Sequence, residues 1–336
     1  MLNETPALAP DGQPYRLLTL RNNAGMVVTL MDWGATLLSA RIPLSDGSVR
    51  EALLGCASPE CYQDQAAFLG ASIGRYANRI ANSRYTFDGE TVTLSPSQGV
   101  NQLHGGPEGF DKRRWQIVNQ NDRQVLFALS SDDGDQGFPG NLGATVQYRL
   151  TDDNRISITY RATVDKPCPV NMTNHAYFNL SGDKRKITEH QLMIPVTRIL
   201  ETTSQFIPTG HMQDVKDSPF DFTISHSIGM HLYDDDEQLH WNKGYNHCYI
   251  LKEESSDTLL TAAVLSDPFS GRKLTVRTDL PGVLLYTSGY LAPTPDIGVC
   301  LETQYFPDTP SHPHFPSCLL MPGEEYLHRS IYTFER

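Results

Sequence analysis

With 39% hydrophobic and 20% charged side chains, this 336-residue chain has an ordinary globular composition, which excludes disordered, collagenous and disulfide-scaffold classes. Its net charge is −12 and its pI about 5.3, and its basic runs are as short as Lys112-Arg113-Arg114 and Lys184-Arg185-Lys186. Such a surface repels phosphate backbones and anionic lipid, so the expected partner is a small neutral solute, with no nucleic acid and no membrane.

Residues 1–10 lack the basic and apolar regions of a secretory signal, and no 18-residue apolar run occurs, so the expected compartment is the cytoplasm. The six cysteines show no CxxC spacing, which points to reduced thiols rather than a zinc knuckle or redox motif. In chain order, strands are predicted at 26–31, 125–130, 145–150, 156–163 and 283–288. Each is short, rich in β-branched or aromatic residues and partly alternating. Turn signals stand between them at Asp46-Gly47, Asp88-Gly89, Asp133-Gly134, Pro139-Gly140-Asn141, Asp152-Asp153-Asn154, Ser270-Gly271 and Pro322-Gly323. Asp88-Gly89, between 84–87 and 91–94, reads as a tight hairpin. The polar stretch 223–241, with its run Asp234-Asp235-Asp236-Glu237, reads as a solvated surface excursion without a chemical role. No dozen-residue window carries a helical apolar stripe free of Gly or Pro, so only a few short helices are expected. The fold class is therefore all-β, an antiparallel sandwich or barrel, with 1–336 as a single domain.

The chain has no GxGxxG after a strand, GxxxxGK[ST], HExxH or GxSxG, so nucleotide, zinc-protease and serine-hydrolase readings lack their anchors. Three polar clusters stand out instead. They are Gly74-Arg75-Tyr76-Ala77-Asn78-Arg79, Asn101-Gln102-Leu103-His104-Gly105-Gly106, and Asn171-Met172-Thr173-Asn174-His175-Ala176-Tyr177-Phe178-Asn179. Planar donors and acceptors beside aromatics suit a sugar, whose hydroxyls need hydrogen bonds and whose ring face needs an apolar wall. The plain alternative is a set of strands whose polar side chains satisfy buried backbone groups. A fourth cluster, 298–308, sets Glu302 in an apolar run, where a glutamate is either paired or poised as a base.

Taken in order, the four clusters resemble the aldose 1-epimerase (galactose mutarotase) family, whose members carry GRxANRI, LHGG, N-x-TNHxYFNL and LE[ST]-x-x-FPD-[ST]-P. Here these stand at 74–80, 103–106, 171–180 and 301–310, supported by Trp33-Gly34-Ala35-Thr36, Gly109-Phe110-Asp111-Lys112 and Pro322-Gly323-Glu324. The likeness runs over roughly residues 10–335 and is denser before about residue 180. It implies a large antiparallel β-sandwich, galactose mutarotase-like, and anomer interconversion of free hexoses such as galactose and glucose, with no cofactor and no metal. It implies Glu302 as general base and His175 as general acid, with Arg75, His104, Asn78, Tyr177 and Asn246 binding substrate. On that casting Glu302 starts ionised and His175 starts protonated.

In one place the chain departs from the pattern. Many members have Gly-Tyr-Asp-His where this chain has Gly244-Tyr245-Asn246-His247, and an amide gives up the charge-assisted bond of a carboxylate. Weaker substrate binding or altered sugar preference is expected, and the KM of an Asn246→Asp variant reads it directly. Four competing readings remain at this level: a two-histidine, one-carboxylate metal site of His104, His175 and Glu302; a silent carbohydrate-binding module; a hexose-6-phosphate mutarotase; and a glycosidase, which needs a second carboxylate. Nothing in the pattern marks an oligomeric interface, so a monomer or weak dimer is expected.

Overall fold

A computed structural model describes residues 1–44, 47–254 and 256–335. The regular structure is dominated by antiparallel strands, with two short α-helices among the described residues, Cys61–Asp64 and Glu237–Asn242. The period-two pattern explains the largest sheet. Leu142–Leu150 buries Leu142, Ala144, Val146, Tyr148 and Leu150. Arg155–Val164 buries Ile156, Ile158, Tyr160, Ala162 and Val164, and the register pairs Val146 with Tyr160, so both apolar rows share one face.

That nine-stranded sheet runs in the order 116–120, 124–131, 142–150, 155–164, 326–335, 273–278, 260–266, 191–193, 226–227. A six-stranded sheet runs 177–178, 299–304, 282–286, 246–250, 198–202, 208–214. The two sheets share one core cluster, which contains Val146, Tyr160, Val276, Tyr332 and Phe334 from the first and Phe178, Val283, Leu285, Val299 and Leu301 from the second. Phe178 meets Tyr332 edge to face at 5.1 Å between ring centroids. A five-stranded meander over residues 2–51 adds a further layer, and the same cluster reaches into it through Leu18, Val28 and Ile42.

All five predicted strands are present, as Val27–Met31, Gln124–Ser131, Leu142–Leu150, Arg155–Val164 and Gly282–Tyr286. The Asp88-Gly89 hairpin joins Arg84–Phe87 to Glu90–Thr93, with φ of 50° and 79° at its two turn residues. The first residue of the predicted Asp46-Gly47 turn lies outside the described residues. The stretch 223–241 is more than a solvated excursion. It supplies the edge strand His226–Ser227 and buries Ile228, Leu232 and Leu239. Within its acidic run the Asp236 carboxylate accepts the backbone N–H groups of Gln238 and Leu239, capping the helix that follows. None of the described helices is long and apolar enough to cross a membrane.

Candidate active site

Strand Val299–Gln304 is buried along its whole length because it is covered on both faces. Alternation sends Val299 and Leu301 into the shared core and leaves Cys300 and Glu302 on the opposite face. There Glu302 lines a cavity of about 510 Å³ together with Phe68, Asn78, Arg79, His104, His175, Tyr177, Asn246 and Tyr286, with Phe206 and Tyr290 at its rim. Glu302 Oε1 lies 3.6 Å from His175 Nε2. Glu302 Oε2 is buried with no hydrogen-bond partner among the described residues, an expensive arrangement for a carboxylate unless a ligand completes it.

His175 follows the two-residue strand Thr173–Asn174, and its backbone N–H is held by the Ala71 carbonyl. Its ring is stacked between Tyr177, at 5.1 Å, and Phe68, at 5.8 Å, with the His104 ring edge-on at 5.3 Å. His104 has a φ of 50° and exchanges two bonds with Asn78. The His104 N–H donates to the Asn78 carbonyl, and the Asn78 N–H donates to His104 Nδ1 at 3.1 Å. Nδ1 is thus an acceptor, so the neutral ring carries its proton on Nε2. Asn78, itself left-handed at φ 66°, also accepts the Arg79 backbone N–H on its side-chain oxygen. Arg79 donates through Nε to Gln98 at 2.6 Å and lies 4.9 Å above the Phe206 ring.

Burial governs the electrostatics. It pushes Glu302 up to about 8, a rise that the Arg79 guanidinium opposes. The same burial pulls His175 down to about 4 and His104 well below its usual value, with the His175 and Arg79 charges adding to the effect on His104. Burial thus opposes charge on both groups, and pushes against the ion pair expected from the sequence. Either way the pair holds one proton, and the two forms differ only in which partner carries it.

The chain matches the family model "Aldose 1-epimerase" over residues 16–333. It is 66% identical to the aldose 1-epimerase of Escherichia coli (strain K12), with 99% of each chain covered. The chain belongs to the aldose 1-epimerase family. The galactose mutarotase of Homo sapiens is 36% identical, with 91% of this chain and 90% of that one covered. An aldose epimerase homologue from C. elegans superposes with a TM-score of 0.88 at 30% identity, covering 96% of this chain and 99% of that one. The galactose 1-epimerase of Lactobacillus acidophilus gives 0.87 at 28%, covering 100% and 98%.

Six of the seven residues singled out from the sequence of this aldose 1-epimerase family member share the cavity: Glu302, His175, His104, Asn78, Tyr177 and Asn246. Arg75 does not, and this is a correction. Its guanidinium is buried elsewhere, with Nε donating to Ser131 Oγ, Nη1 to the Pro139 carbonyl and Nη2 to the carbonyls of Ser131, Asp132 and Gly140. With Nη1 also reaching Cys168 Sγ at 3.7 Å, its donors are spent on the 131–140 loop and that thiol, and Arg75 has none left for a ligand. Arg79, four residues on and in the same quoted cluster, occupies the cavity instead. Phe68, Phe206 and Tyr290 were also missed, because no motif marks an aromatic on a loop as a cavity wall.

The two arginines are thus separable by experiment. Arg75→Met is expected to cost about 3 kcal/mol or more of stability, since it orphans buried carbonyls, while KM of the folded fraction stays put. Arg79→Lys is expected to raise KM about tenfold with little change in melting temperature. Melting curves and KM on both variants check this, and the reverse pattern would return Arg75 to the site.

The metal reading is tested by the same geometry. His104, His175 and Glu302 do converge, with ligand atoms within 4.8 Å of one another. The donor set does not fit, however. His104 Nδ1 is taken by the Asn78 N–H and Nε2 carries the ring proton, which leaves no lone pair for an ion. Glu302 is also the one carboxylate, and Arg79 the one cationic side chain, among the described residues that line the cavity, as neither a glycosidase nor a phosphosugar site requires.

Proposed function

We propose that the chain interconverts the α and β anomers of free aldoses, galactose and glucose among them, by opening and reclosing the sugar ring. The observation that carries this is Glu302 Oε2, a buried carboxylate oxygen without a partner among the described residues, in a cavity where its sister oxygen faces His175 Nε2 at 3.6 Å. Hydroxyls donated by a bound sugar supply the missing partner. They favour the ionised glutamate and move the shared proton to His175.

Glu302 then removes the proton from the C1 hydroxyl while His175 protonates the ring oxygen, and the C1–O5 bond breaks to give the open aldehyde. Rotation about C1–C2 presents the other carbonyl face. On reclosure His175 takes back the proton of the O5 hydroxyl and Glu302 returns one to the former carbonyl oxygen. The pair ends with the proton it began with, so no cofactor enters the balance. The Arg79 guanidinium and the His104 Nε2–H are donors that stabilise charge on oxygen during the transfer. Tyr177 and Tyr286 offer apolar walls to the ring face, and Asn246 an amide to its hydroxyls. The whole chain acts as one domain on this reading, because residues from 68 to 302 meet in one cavity.

Optical rotation of freshly dissolved α-galactose and α-glucose tests the proposal. Wild-type protein should speed the drift to equilibrium, and His175→Asn should remove most of the acceleration; no acceleration with any free aldose would retire it. The pH dependence follows from the pair. Below about 4 it holds an extra proton and above about 8 none, so kcat/KM should fall on both sides of that window, as macroscopic values of the pair. A profile flat from pH 5 to 10 would exclude Glu302 as the base.

A further inference from the structure

The buried thiol of Cys300 has no part in the proton transfers above, yet it touches the residue that performs one of them. Cys300 is fully buried, sits two positions before Glu302 on the same strand face, and is paired in register with Tyr177. Its Sγ lies 3.7 Å from His175 Nδ1, the ring nitrogen turned away from Glu302. On its other side the thiol neighbours the Tyr177 hydroxyl across that register pair. That hydroxyl has already committed its hydrogen, which it donates to the Ala67 carbonyl at 2.8 Å.

The end of this chain fixes its direction. A carbonyl only accepts, so the Tyr177 O–H must point at Ala67 and its oxygen is left to accept the thiol hydrogen. The sulfur then has lone pairs, and no hydrogen, to offer His175 Nδ1. We infer that Cys300 is a positioning residue: through the sequence His175 Nδ1–H to Cys300 Sγ–H to Tyr177 Oη–H to the Ala67 carbonyl, it holds His175 in the tautomer whose Nε2 lone pair faces Glu302.

The consequence rests on the acid–base reading given above. A general acid that must also act as base needs one nitrogen that gains and loses the proton and another that keeps its own. With Nδ1–H fixed, His175 cycles between imidazolium and neutral imidazole at Nε2, the nitrogen 3.6 Å from Glu302. With the proton on Nε2 instead, the neutral ring could neither accept from Glu302 nor take a proton back from the sugar. The groups facing the ring are Glu302 at Nε2, Cys300 at Nδ1, and His104, Phe68 and Tyr177 around it. A carboxylate at Nδ1 would favour the cation; the neutral thiol sets direction without adding a charge, in keeping with a His175 that burial holds neutral.

Two-bond ¹H–¹⁵N correlation spectra of uniformly labelled protein near pH 6.5, with His175 assigned through His175→Asn, read the tautomer without any substrate. The wild type should show the Nδ1–H form, and Cys300→Ser, which keeps a rotor that both donates and accepts, should preserve it. Cys300→Ala should mix the tautomers and lower kcat roughly tenfold or more with KM little changed, while Tyr177→Phe, which frees the thiol hydrogen to turn toward Nδ1, should populate the Nε2–H form. An Nε2–H tautomer in the wild type, or a Cys300→Ala protein with unchanged spectrum and unchanged pH profile, would overturn the inference. Absence of mutarotase activity in the wild type would instead strike at the acid–base reading and leave the spectrum to be judged separately.

Discussion

Glu302→Gln is expected to lower kcat by about 10³-fold and, at the same time, to raise the melting temperature in alkaline buffer. The first half follows from removing the base. The second follows from the sign of its shift. Burial holds the folded carboxyl at about 8, against an ordinary value of 4.5. Between those limits the folded chain keeps a proton that the unfolded chain has released, so wild-type stability falls as pH rises through the window and the loss is complete above about 8. Glutamine has no proton to lose. The two proteins should melt alike near pH 4.5 and diverge steadily toward pH 9, where the variant is favoured by an amount of the order of a few kcal/mol. His175 moves stability in the opposite sense at lower pH, but it does so in both proteins. Melting curves at pH 4.5, 7 and 9 decide the matter, and a variant no more stable than wild type at pH 9 would mean that Glu302 is not held protonated by burial.

Gly105→Ala is expected to cost about 3 kcal/mol or more of stability and to leave a cavity that no longer holds His104 in place. Gly105 has φ +86°, and a Cβ there would stand 2.0 Å from the Gly74 carbonyl oxygen and 2.9 Å from the Arg75 backbone nitrogen. Both obstacles are backbone, so neither can rotate away. Relief requires the 103–106 turn to lift off residues 74–75. The 3.1 Å bond from the Asn78 N–H to His104 Nδ1 joins that turn to the stretch just after residues 74–75. Gly12→Ala is the control, because Gly12 has φ +77° with nothing within 4 Å of the added Cβ. It should show the conformational strain alone, about 1–2 kcal/mol, and full kcat/KM. Equal behaviour of the two variants in melting and turnover would rule out the clash as the cause.

Period-two alternation and turn chemistry are local properties, which is why the five strands and the 84–93 hairpin were readable before any coordinates. Glu302 and His175 were legible for a different reason, since a glutamate inside an apolar run and a histidine among asparagines and aromatics are costly unless used. The error at Arg75 shows where such reading stops. Both arginines lie in one six-residue cluster, and no composition rule says which of them turns into the cavity. The left-handed residue Asn78, at φ 66°, redirects the backbone between the two, just before Arg79. Burial pushes Glu302 and His175 away from the expected ion pair, and that push was not legible because it depends on desolvation, a property of the folded interior that no list of neighbours in sequence contains. Arg79 was within reach of the same cluster; Phe206 and Tyr290 were not, because residues such as Arg79, which Phe206 faces, are far from them in sequence.

The strand Tyr326–Glu335 occupies the middle of the nine-stranded sheet, paired with Arg155–Val164 on one side and Lys273–Thr278 on the other. During synthesis, the two flanking parts of that sheet, which precede this strand in the chain, must wait for it before they can join. Until it arrives, each presents an unpaired edge that invites pairing with another chain. Folding of this protein is therefore expected to be slow and to wait on the emergence of this strand, and crowded expression should penalise it before that point more than after it.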